Sequence, residues 1–169
     1  SSIKRLFDFP YYQLENYNLE KSLVSKKEGK WIATSTQEYI NKANAISRGL
    51  IQLGVQPNDK VAIISMTNRT EWNICDIGIL QTGAQDVPIY PTISQEDYAY
   101  ILNHSKSIYC FVSCEFVLEN GEADYFENVS LLFPKDDFLQ KHSFECYVGR
   151  VLKDSTTVVR RKFAKSRFF

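Results

Sequence analysis

From Ser35 onward the chain alternates between segments whose apolar residues recur every three or four positions and short runs that are apolar throughout. Ser35-Thr-Gln-Glu38 has the capping-box pattern, a hydroxyl and a carboxylate spaced to satisfy the free backbone donors of a helix start. Tyr39, Ala43, Ile46, Leu50 and Leu53 follow in steps of four and three, which places them on one face of a 3.6-residue helix. Gly54 is a natural left-handed terminator, and Pro57-Asn58-Asp59 turns the chain. Lys60-Val-Ala-Ile-Ile-Ser65 is too short for a helix and rich in β-branched residues, so it predicts a strand buried on both faces. Asn68-Arg-Thr-Glu71 repeats the capping pattern and predicts a second helix, with Trp72, Cys75, Ile79 and Leu80 inward and Gly83 near its end. Val87-Pro-Ile-Tyr90 reads as a short strand in which Pro88 forfeits one ladder hydrogen bond. Ser94 with Asp97 caps a third helix, and Ile108-Tyr-Cys-Phe-Val112 is a further strand.

Upstream, the aromatic stretch Leu6 to Tyr12 contains Pro10, which disfavours a helix, and is expected to pack as irregular structure. Ser22-Leu-Val-Ser25 and Trp31-Ile-Ala-Thr34, joined by Lys27-Glu-Gly-Lys30, predict a hairpin. Helices alternating with strands from Thr34 to Ser113 give an α/β fold class: an open, mostly parallel sheet with helices on both faces. Periodicity stops there, because an α/β scaffold hosts many functions.

Composition narrows the partners. A chain of 169 residues that is 44% hydrophobic suits one compact domain, and its 20 basic and 20 acidic residues point to neither nucleic acid nor an acidic surface as an obligatory partner. The balance is uneven locally. Residues 1–114 carry 11 acids and 11 bases, residues 115–146 carry 8 acids and 2 bases, and residues 147–169 carry 1 acid and 7 bases. No apolar run reaches the roughly 18 residues of a membrane span, and Ser1 to Pro10 lacks the pattern of a secretion signal, so a cytoplasmic location is expected. Cys110 and Cys114 with His142 have the spacing of a conceivable metal site, but Cys110 sits in an apolar β-like run, which favours a reduced, buried thiol.

Four blocks resemble one family, the long-chain fatty-acid CoA ligases of the adenylate-forming superfamily. They are Thr34 to Tyr39 running into Gly49-Leu-Ile-Gln-Leu-Gly54, Asn58 to Ser65 followed by Asn68-Arg-Thr-Glu-Trp72, Leu80 through Gly83 to Tyr90-Pro-Thr92, and Ser94 to Ser105. The resemblance implies that residues 1–113 form the N-terminal part of an AMP-binding domain. It is lost near Cys114, leaving residues 114–169 as a divergent tail or the product of a frame change or early end. It also implies a reaction in which ATP activates a fatty acid as acyl-AMP, which CoA then receives as a thioester, with Mg²⁺ required.

No residue of this chain matches the family's catalytic, cofactor-binding or metal-binding positions. The phosphate-binding loop in particular has no counterpart between Ser113 and Phe169. The isolated chain is therefore expected to be an inactive fragment. Asn68, Arg69 and Glu71 are read as helix-start residues and His104 as a helix-end residue, not as reacting groups. The competing reading is a non-catalytic α/β binding module whose basic end, Arg160-Arg-Lys162 with Lys165 and Arg167, allows peripheral membrane contact. No nucleic-acid partner is expected.

Overall fold

The computed structural model describes residues 3–65, 68–112, 129–131 and 147–151. The chain divides into two compact units, Ser1–Asn58 with Thr67–Ala84, and Asp59–Met66 with Gln85–Phe169.

In the first unit a 3-10 turn, Leu6–Asp8, leads directly into helix α1, Phe9–Asn16. The expectation of irregular structure here is corrected. Pro10 lies in the first turn of α1, where a backbone N–H has no intrahelical partner and the fixed φ of proline suits the helix. Strands β1, Leu23–Lys27, and β2, Lys30–Thr34, pair antiparallel as predicted. Glu28 and Gly29 both take positive φ, 48° and 80°, the twist that a two-residue hairpin turn needs.

Helix α2, Thr36–Gln52, has the predicted cap: the Ser35 hydroxyl accepts from the Glu38 amide at 3.2 Å, and the Ser35 amide donates to the Glu38 carboxylate at 2.8 Å. Its C-terminus closes through the Gly54 amide to Ile51 O and the Val55 amide to Leu50 O, both 3.0 Å, with Gly54 at φ 88°. The buried face is Thr36, Ile40, Ala43, Ala45, Ile46 and Leu50, whereas Tyr39 and Leu53 are half-buried at its margin.

Helix α3, Thr70–Gln81, begins later than the sequence suggested. Its N-cap is Arg69 in an extended conformation, with no side-chain cap hydrogen bond, so the Asn68 box is corrected. The spacing of Asn68 and Glu71 fits a box, but the first helical residue is Thr70, which leaves Glu71 too early in the helix to close one. Ile74, Cys75, Ile77, Gly78 and Ile79 are buried while Trp72 and Leu80 are half-buried. Where α2 and α3 meet, Gly78 lies against Ile46 and the Ala43 carbonyl, an approach that only a residue without Cβ allows.

In the second unit β3, Lys60–Ile64, is flanked in parallel by β4, Gln85–Ile89, and by β5, Tyr109–Val112. Beyond β5 the sheet continues antiparallel through β7, Tyr147–Val151, to β6, Val129–Leu131, giving the order β4-β3-β5-β7-β6. Val61–Ile64 and Tyr109–Val112 thus join one open α/β sheet, as expected. Pro88 lies on edge strand β4, where its missing donor costs the ladder least.

Helix α4, Gln95–Ser105, is capped by the Ser94 hydroxyl accepting from the Asp97 amide at 3.2 Å. Its Tyr98 and Leu102 pack with Ala62, Ile64, Ile89 and Cys110, one face of the sheet. Val61, Ile63, Tyr109 and Phe111, on the other face, are buried as well. That two-sided burial explains why residues 61–64 are apolar without alternation. The remaining positions of 114–169, including Cys114, His142, Cys146 and the basic end, lie outside the described residues.

Candidate functional site

The strand order puts β3 between β4 and β5, with the chain leaving β3 for one neighbour and arriving at β5 on the other side. Such a reversal leaves a crevice at the carboxyl ends of the strands, where open α/β sheets receive ligands. On β3 the described residues end at Ser65, which is half-buried. On β4 the edge is formed by Tyr90, 80% exposed, and by Pro91 and Thr92. The Tyr90 carbonyl accepts from the Tyr98 hydroxyl at 3.1 Å, which ties the end of β4 to α4. The Tyr-Pro-Thr triplet carried the family resemblance in the sequence; its position at a strand's carboxyl end was signalled by the proline, which ends the ladder.

Two of the residues that resemble a charged site form an ion pair. Arg69 Nε lies 3.1 Å from Glu71 Oε2 at the first turn of α3, with Thr70 buried between them in sequence. An acid at a helix start is stabilised by the macrodipole, which gives Glu71 a structural role there. His104 is exposed in the last turn of α4 and stacks on Tyr100, ring centroids 5.3 Å apart. This is an i,i+4 surface contact, as the helix-end reading anticipated.

A shallow cleft of about 420 Å³ in the first unit, lined by Arg5, Phe7, Asp8, Tyr11, Asn44 and Gln81 among others, was not anticipated. Arg5 pairs with Asp8 at 2.9 Å and lies 4.4 Å over the Phe7 ring, so its charge is spent locally. The Asp8 carboxyl is held below its usual range, first by the Arg5 side chain and then by the Lys4 amide. Tyr11 donates to Asn44 Oδ1 at 2.8 Å, and Gln81 Nε2 donates to the same oxygen at 3.0 Å. These bonds fasten α1 to α2 and α3. The i,i+3 spacing of Arg5 and Asp8 is the signal that could have marked the turn.

Among the described residues no group of three His, Cys, Asp or Glu is placed to hold a metal, and no helix is long and apolar enough to cross a membrane. Cys75 and Cys110 are buried and form no disulfide, and their burial agrees with the sequence reading.

Comparison with known proteins supplies what the geometry does not. A family model described as AMP-binding enzyme matches residues 13–154, passing the point near Cys114 where the sequence blocks end. A long-chain-fatty-acid–CoA ligase of Mycobacterium bovis, FadD15, is 41% identical over 88 residues, 52% of this chain and 14% of that relative. The fatty acid AMP ligase of Legionella pneumophila shares the fold with a TM-score of 0.58 at 21% identity, covering 69% of this chain and 22% of that one. The crystal structure of IdnL1 covers 99% of this chain and 32% of its own at a TM-score of 0.66 and 15% identity. At such identities the two structures speak to fold alone.

Proposed function

Since the chain belongs to the AMP-binding enzyme family, we propose that its residues are the N-terminal scaffold of a cytoplasmic ligase that activates long-chain fatty acids. In this reading the fatty-acid carboxylate attacks the α-phosphorus of ATP and pyrophosphate leaves. The CoA thiol then attacks the acyl carbon and AMP leaves. ATP, CoA and Mg²⁺ belong to the whole enzyme. The described residues contain no acidic cluster to hold the metal, so none is assigned to it.

The observation that carries the reading is the coincidence of the family match with the alternating elements α2 to β5, in which the quoted blocks fall on helices with their caps, on turns and on strands. The fatty-acid and CoA specificity rests on the M. bovis ligase, of which this chain spans 14%. The role assigned to residues 13–112 is therefore to hold the sheet on which a reacting site is built, and the isolated 169-residue chain is inactive.

A chimaera tests this. Residues 13–112 would replace the matching segment of the M. bovis ligase, and fatty-acid-dependent exchange of pyrophosphate into ATP would be measured for the chimaera and for the isolated chain. Exchange by the chimaera and none by the chain is expected. A folded but inactive chimaera would overturn the scaffold assignment, and exchange by the isolated chain would show that its own residues carry chemistry.

A further inference from the structure

The β1–β2 hairpin leaves one pleated face uncovered. The register pairs Val24 with Ala33 and Lys26 with Trp31, so these four side chains share a face. All four are exposed, Trp31 at 71% and Val24 at 47%. A solvent-facing sheet face is ordinarily polar, and here three of the four positions are apolar, with the largest aromatic side chain the most open. Val24 and Trp31 are diagonal neighbours, close enough for an indole to form one patch with the valine.

The patch is set among positive charge. Residues 21–34 hold Lys21, Lys26, Lys27 and Lys30 against the single acid Glu28. Lys26 Nζ stands 5.8 Å from the centre of the Trp31 ring. This charge argues against a second copy as the occupant, because face-to-face or edge-to-edge pairing of two such hairpins brings like charges together. It argues for an anionic partner. An indole on an exposed face beside Lys26, in a segment rich in lysine, matches the boundary of an anionic bilayer, where tryptophan sits at headgroup level and lysines meet the lipid charge.

We propose that the outer face of the β1–β2 hairpin docks on an anionic lipid surface through Trp31 and Val24, with Lys26 of the same face meeting the headgroups. The inference stands apart from the ligase reading, since no step of the reaction enters it. It is also distinct from the basic end at Arg160 to Arg167, which lies outside the described residues.

The test is cosedimentation of the 169-residue chain with phosphatidylcholine vesicles that contain or lack phosphatidylserine. Binding should require phosphatidylserine and weaken as salt rises. Trp31→Ala should lower partitioning severalfold, and Lys26→Ala should lower it by roughly fivefold, the worth of one lysine near such a surface. Both sites are exposed, so the urea midpoint should not move.

A second readout does not depend on those variants. In a Trp72→Phe background, brominated acyl chains should quench the remaining Trp31. Equal binding to both vesicle types, no quenching of Trp31, or loss of binding only when Arg160, Arg161 and Lys162 are changed to Ala would each overturn the proposal. Equal binding to soluble polyglutamate without quenching would also overturn it, making an acidic protein segment the partner.

Discussion

Replacing Gly78 by alanine tests the close approach of α2 and α3. A Cβ built at Gly78 lies 2.6 Å from both Cβ and Cγ2 of Ile46 and 2.9 Å from the Ala43 carbonyl oxygen. Carbon atoms rest at about 3.5–4.0 Å, so α2 and α3 must separate by roughly 1 Å. Overpacking of this kind costs about 1–3 kcal/mol. The upper part of that range applies, because a branch-point Cβ and a main-chain oxygen cannot rotate aside. Alanine in place of glycine inside a helix returns about 1 kcal/mol.

The net expectation is a loss of about 1–2 kcal/mol, on the order of 1 M in the urea midpoint for a chain of this size. Circular dichroism during urea unfolding reads it directly. Ile46→Ala alone should cost about 2–5 kcal/mol through the cavity it leaves. Combined with Gly78→Ala it should cost less than the two added together, since the truncated side chain removes one of the three clashes. A Gly78→Ala variant as stable as the parent, or more so, would show that the helices do not approach this closely.

Two further outcomes follow from named groups. Ser35→Ala should lower stability by about 0.5–2 kcal/mol, because the hydroxyl accepts the Glu38 amide and the box is lost. The Glu38 carboxyl is held below the ordinary 4.5, first by the Ser35 amide and then by the Ser35 hydroxyl. Its contribution is complete above pH 4.5 and disappears as pH falls through the lower folded value, so Glu38→Gln should flatten that acid limb in urea midpoints taken across pH. An unchanged limb would remove the box from the account. Burial pushes the Cys110 thiol up, which keeps it protonated and out of reach. Alkylation mapped by mass spectrometry should label Cys110 only at the rate of unfolding; prompt labelling in the folded chain would contradict the sheet's two-sided burial.

The elements that were legible in the sequence are those whose determinants lie within a few residues. The Ser35 and Ser94 caps, the Gly54 terminator and the Glu28-Gly29 turn each need particular side chains at fixed short spacing, and each was found where that spacing put it. What escaped depends on choices the local pattern leaves open. Pro10 is compatible with either a break or a first turn, and the backbone chose the first turn. Asn68 and Arg69 are both able to precede a helix, and Arg69 became the cap without a capping side chain. Ile40 is buried where Tyr39 was expected because the face of α2 that closes on α3 is set by the approach at Gly78, a fact about a second helix. The pairing of Tyr147–Val151 with β5 joins residues some forty positions apart and has no local mark.

The same distinction explains why the candidate site stayed faint while the family was plain. A helix cap, a left-handed terminator and a close helix crossing constrain residue identity as tightly as a reacting group does, so a scaffold leaves a sequence pattern as specific as an active site. Ser35, Glu38, Gly54, Ser94 and Asp97 all belong to blocks that carry the resemblance, and all are now placed in caps or turns. The carboxyl edge beside β3 and β5 is different: it is made by topology, from residues distant in the chain, and Tyr90 stands 80% exposed there. Substitutions in the blocks should therefore move stability first and any activity of a whole enzyme through it, whereas groups reaching that edge can alter binding with the fold intact. A resemblance built on caps and turns thus identifies lineage strongly and assigns chemistry to no residue, which is why the function rests here on the family and not on a constellation within the chain.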